Sequence, residues 1–162
     1  MFDGNGNLQA GFHDWTVEEA RKRLVNTFPE SRTRERIWSG YVRLCRELVV
    51  IIEECEHWLN GSFVTAKVDP GDLDLLVVVD KEKTDALAGE AGEAFDALVN
   101  AKTTQGTHLC DSYPLFRLAA GLRGYEEYVI QRAYWRGQFG FDRNERPKGI
   151  VRVQWSGRSN PR

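Results

Sequence analysis

The sequence predicts an α/β domain in which a small mixed β-sheet is packed with helices. A run of aliphatic residues between acids, Asp72-Leu73-Asp74-Leu75-Leu76-Val77-Val78-Val79-Asp80, reads as a central strand covered on both faces. A long segment ahead of it carries an apolar stripe at helical spacing, and further strand and helix signals alternate behind it. The chain has 162 residues, 41 % apolar and 28 % charged. That suits one domain with a real core, expected over residues 1–155, and a flexible tail over 156–162.

Taken in order, residues 1–14 are rich in Gly and Asn and read as an irregular lead-in. Thr16 followed by Glu19 has capping-box spacing, which predicts a helix from Val17 to Phe28, broken by Pro29 and Ser31. A second helix is expected from Thr33 to Glu54. Its residues Ile37, Trp38, Tyr41, Val42, Cys45, Leu48, Val49 and Ile52 recur at three and four residues, a stripe suited to packing on a sheet. His57 to Asn60 reads as a short strand ending at Gly61-Ser62. After the Asp69-Pro70-Gly71 turn comes the central strand. Residues 82–102, rich in Ala and Glu, are expected to be helical despite Gly89 and Gly92. His108 to Leu115 reads as a strand stopped near Pro114. Tyr125 to Arg136 is expected as helix and Gly149 to Trp155 as a last strand.

The formal net charge is -2, but it is unevenly spread: acids dominate from Glu53 to Asp96, and Arg and Lys dominate from Arg117 onward. Such a division fits a polyanionic substrate lying over a metal site, and it equally fits a patchy solvated surface. Cys45, Cys55 and Cys110 form no CxxC pair and are odd in number, so they read as reduced core thiols rather than zinc ligands or disulfides. No secretory signal or membrane span is legible, and the expected location is cytoplasmic.

Asp72 and Asp74 stand two apart on a strand, so both carboxylates emerge on one side. Separated by about 5 to 7 Å, they repel by roughly 2 to 3 kcal/mol at an effective dielectric near 20. A divalent cation converts that repulsion into ligation, and hard carboxylate oxygens suit Mg2+ or Mn2+. One Asp capping the turn and the other lying at a solvated sheet end is the plainer alternative. Gly61 lets a phosphate approach backbone N–H groups, and Ser62 adds a hydroxyl. An ordinary Gly-Ser turn would look the same.

Leu59-Asn60-Gly61-Ser62, a connection of about ten residues and then Asp72-Leu73-Asp74 in an apolar strand resembles the signature of the DNA polymerase beta-type nucleotidyltransferase superfamily. Trp58 to Asp80 also looks like a short bacterial and phage nucleotidyltransferase-like group. The resemblance implies a minimal nucleotidyltransferase-like fold, a third acid on a neighbouring strand, and transfer of a nucleoside monophosphate from an NTP to a hydroxyl. Asp111 is the candidate third acid, so Asp72, Asp74 and Asp111 form the expected catalytic and metal-binding set. Gly61, Ser62, Lys67, Arg143 and Lys148 form the expected nucleotide-binding set. His108 is expected to be structural or to face substrate, on the strand face opposite Asp111. Tyr134, Trp135, Phe139 and Phe141 alternate with bases and could stack a nucleobase or simply fill the core. Arg132 and Arg136, four apart on one helix, extend that basic surface. The acceptor implied is RNA such as tRNA, a protein or a small molecule, in a toxin-antitoxin or phage-defence setting. No second helical domain for base or acceptor is evident. A catalytically silent binding module for nucleotide, RNA or a partner protein, and a nuclease using the same acids, remain open readings.

Overall fold

The computed structural model describes residues 1–157. It is a mixed α/β structure whose strands are β1 (Gly11–Asp14), β2 (Glu54–Asn60), β3 (Leu73–Asp80), β4 (Cys110–Arg117) and β5 (Gly149–Ser156). They form one five-stranded sheet in the order β1-β5-β2-β3-β4. β2 runs antiparallel to both β3 and β5, whereas β3 with β4 and β1 with β5 are parallel pairs. Helices α1 (Val17–Arg21), α2 (Arg34–Ile52), α3 (Lys81–Asp85), α4 (Glu90–Leu98), α5 (Ala101–His108) and α6 (Tyr125–Phe139) complete the chain.

Strand alternation divides the core into two layers. Leu73, Leu75, Val77 and Val79 join the larger cluster, which holds the apolar stripe of α2. Leu76 and Val78 join the smaller one with Trp58, Leu115, Ile150 and Phe139 of α6. β3 is therefore apolar on both faces because helices cover both. Asp74 shares the parity of Leu76, so it lies on the α6 side.

Several expectations are corrected. The lead-in is ordered: Phe2 bridges Leu8, Asn7 bridges Thr65, and Gly11–Asp14 pairs along β5. Four residues without a β-branched member carry no strand signal alone; the neighbour supplies the ladder. The first helix keeps its capping box at Thr16 but becomes a π-helix over Lys22–Asn26. The expected helix over 82–102 is three pieces, broken at Gly89, where φ is +57°, and at Asn100, which caps α5. Strand β4 continues through Pro114 because it is an edge strand, where a missing N–H costs no ladder bond on its open side. His108 ends α5 instead of starting a strand, and lies 3.3 Å from Glu47. Ser156 closes β5; the rest of the expected tail beyond Gly157 lies outside the described residues.

Candidate active site

The site forms where β2 ends and β3 begins. Asn60 is buried and donates to the carbonyls of Phe139 (2.9 Å) and Gly149 (3.3 Å), tying the end of β2 to α6 and β5. The chain then turns through Gly61 at φ +76° into a short 3-10 helix, Gly61–Val64. Glycine is required there twice over. The conformation is left-handed, and an added Cβ would overlap Asp74 Oδ2 while lying 3.0 Å from its Cγ. The carboxylate of Asp74 thus rests against the backbone of the turn.

The register of the parallel pair places Asp111 directly beside Asp74, and neighbouring strands are about 4.8 Å apart. Asp72 lies one residue before β3. Burial, then the charges of Asp72 and Asp111, push the Asp74 carboxyl up to about 6, against the opposing pull of Lys148 and Arg143. Burial and Asp72 also raise Asp111. Asp111 Oδ1 is buried with no hydrogen-bond partner among the described residues, an arrangement that costs stability unless a ligand supplies the missing donor or charge.

A cleft of about 780 Å³ opens above this turn. Gly61, Ser62, Lys67, Arg143 and Lys148 line it together with Asp72 and Asp74, so residues spread over 88 positions of sequence meet in one cavity. Asp111 sits beside the cleft behind Asp74 and does not line it. Lys148 is 7 % exposed, and its ammonium group enters no ion pair among the described residues. Burial lowers it, and the charges of Asp74 and Asp142 raise it in part. The aromatic wall consists of Tyr113, Tyr134, Trp135, Phe139 and Phe141. Tyr134 and Phe141 are about half exposed, while Phe139 is core. Core packing therefore accounts for Phe139, whereas the rings of Tyr134 and Phe141 are left partly open to the cleft.

Sequence reasoning passed over Arg34. It is fully buried, stacks on Phe28 at 3.7 Å, and donates to the carbonyls of Leu24, Phe63, Thr65, Lys67 and Val68 at 2.6 to 3.3 Å. One guanidinium therefore fixes the whole connection that follows the Gly-Ser turn. Its signal was present, since Arg34 stands on the helix stripe three residues before Ile37. Asn7, at the ordered N-terminus, also lines the cleft and donates to Asp142, bracing the loop that carries Arg143.

Hard oxygen donors and an orphaned buried carboxylate oxygen fit magnesium or manganese. No group of three or more His, Cys, Asp or Glu side chains is arranged to hold a metal ion among the described residues. The residues therefore fit an ion held by one or two carboxylates and completed by phosphate oxygens, not a closed protein cage.

A family of unknown function, DUF6932, matches residues 1–154. The chain belongs to that family. All eight candidate residues of this DUF6932 chain fall inside the matched span. No curated protein and no solved structure gives a match. No helix of the described residues is long and apolar enough to cross a membrane, and Cys45, Cys55 and Cys110 are buried free thiols.

Proposed function

We propose that this chain is a metal-dependent nucleotidyltransferase acting on nucleoside triphosphates. The observation that carries the reading is the seating of the Asp74 carboxylate against the Gly61 turn, beside Asp111 and facing Lys148 and Arg143 across one cleft. Carboxylates on one wall and unpaired cations on the other suit a triphosphate with its counter-ion. Backbone N–H groups at Gly61-Ser62, the Ser62 hydroxyl, Lys67, Arg143 and Lys148 would take the phosphates. Tyr134 or Phe141 offers a partly exposed ring for the base.

The reaction balances as a substitution at the α-phosphorus. An acceptor hydroxyl oxygen forms the new P–O bond, the bond to the β-phosphate bridging oxygen breaks, and pyrophosphate leaves. The hydroxyl proton passes to solvent. Asp72 and Asp74 would hold magnesium, which would supply charge neutralisation for the triphosphate and lower the hydroxyl pKa. The DUF6932 membership is compatible with this reading and assigns no chemistry.

The lack of a three-acid metal arrangement among the described residues favours a second reading, a nucleotide-binding module without turnover. Incubation with α-labelled NTP separates the two. Label transfer that disappears in Asp74→Asn supports the enzyme; magnesium-NTP binding by calorimetry without any transfer supports the module. Undiminished transfer by Asp74→Asn would remove Asp74 from the chemistry altogether. A cytoplasmic setting, read from the cysteines, and a toxin-antitoxin or phage-defence role, resting on the sequence resemblance, are proposals of the same kind.

A further inference from the structure

A second cavity, about 350 Å³, lies between β1 and α6 and meets the cleft at Phe141 and Lys148, which line both. Its wall is low: Gly11 and Gly137 face it, and an added Cβ at either would meet nothing within 4 Å. Its rim is basic. Arg136 and Lys148 line it, Arg136 standing 5.8 Å from the ring of Phe12; Arg132, one turn before Arg136 on α6 and outside the lining, stands 5.6 Å from the ring of the buried Trp58. Arg152, outside the lining, also lies 5.1 Å from the ring of Phe12 and is paired with Asp14. Arg132, Arg136 and Arg143 enter no ion pair among the described residues. The unpaired Arg136 and Lys148 and the half-exposed ring of Phe141, along a glycine-lined trough, match what a flexible phosphodiester chain needs: cations for its phosphates, a ring face for a base, and no side chain in the way. A neutral or basic polypeptide would gain little from uncompensated cations.

We propose that this groove binds the backbone of a single-stranded nucleic acid and leads its end past Lys148 into the Asp74 cleft. Strand binding is independent of the chemistry; the role of that strand as acceptor rests on the nucleotidyl-transfer reading.

The test is fluorescence anisotropy of a short labelled oligoribonucleotide with the full chain, in EDTA and without nucleotide. The wild-type chain binds the single strand at low salt. Gly137→Leu fills the trough without a clash, and Arg136→Glu reverses one rim charge; each weakens binding by about tenfold. Arg136→Glu also lowers the slope of log affinity against log salt by about 0.7 or more. Both variants keep the wild-type heat of magnesium-NTP binding, and label from α-labelled NTP reaches the oligonucleotide in the wild-type chain only. Failure of the wild-type chain to bind the strand, or wild-type affinity in both variants, overturns the proposal. Labelling of a polypeptide acceptor that Gly137→Leu leaves intact overturns it as well. If strand binding depends on the groove while no variant or wild-type chain binds NTP, the groove stands and nucleotidyl transfer falls.

Discussion

Asp74 holds the site's electrostatic tension. Its carboxyl is raised to about 6, chiefly by burial, against about 3.9 in an unfolded chain. Between those values the folded state binds more protons, so this group's contribution to stability falls as pH rises from about 4 through about 6. Asp74→Asn is expected to stabilise the fold on the order of 2 kcal/mol at pH 7 to 8, and hardly at all near pH 4. Urea unfolding of both proteins across that range checks it; equal stability at pH 8 would mean that the carboxylate carries no such strain. Magnesium-NTP binding should show the opposite trend, strengthening as pH rises through about 6, because the ligand needs the ionised acid. Calorimetry at pH 5 and pH 7.5 reads it. Gly61 is the companion. Gly61→Ala forces a left-handed alanine, a cost of about 1 to 2 kcal/mol, and drives the new methyl into Asp74. Gly71→Ala, ten residues on and open to solvent, serves as the control.

At the scale of elements, the phosphate turn owes its shape to α2 rather than to itself. The 3-10 helix spans only Gly61–Val64, too short for independent stability. Arg34, at the first position of α2, supplies donors for carbonyls on both sides of the following connection. Burial lowers its guanidinium to about 10, still fully charged at neutral pH. Arg34→Lys keeps a charge but loses the planar fork, and several buried carbonyls then lack donors. A loss of about 3 to 5 kcal/mol is expected, with hydrogen-exchange protection falling first over residues 63–68. Uniform loss of protection across the sheet, with that segment no worse than the rest, would reduce Arg34 to ordinary core packing. Gly40 makes a similar point on the other side of α2: a Cβ there would overlap the carbonyl of His108, so α2 and α5 cross at backbone contact.

The described residues form a sheet with a helical layer on each face, and acid sensitivity is expected to be set on the α2 face, opposite the cleft. His57 sits fully buried between Tyr41, Cys45 and Cys55, and burial depresses it to about 3. The unfolded chain takes up that proton near pH 6.5. Its contribution is therefore complete above about 6.5 and is lost as pH falls toward 3. The expected melting temperature declines from pH 7 to pH 4, and His57→Gln flattens the decline. A slope unchanged in that variant would place the acid sensitivity elsewhere.

Local pattern was enough to give the sequence its strongest statements: the apolar run of β3, the stripe and length of α2, the capping box at Thr16, and the acids bracketing a glycine turn. Each depends on spacing along the chain, which backbone geometry translates directly into a face or a cap. Tertiary structure alone decided the rest. β1 exists because β5 offers it a ladder, and Arg34 matters because five carbonyls from two segments converge on it. Lys148 and Arg143 share a cleft with Asp74 because an antiparallel return brings β5 beside β2. Asp111 stands next to Asp74 through parallel register. Periodicity records which way a residue points, but not which distant residue it will meet; that information resides in the order of strands, which no local window contains.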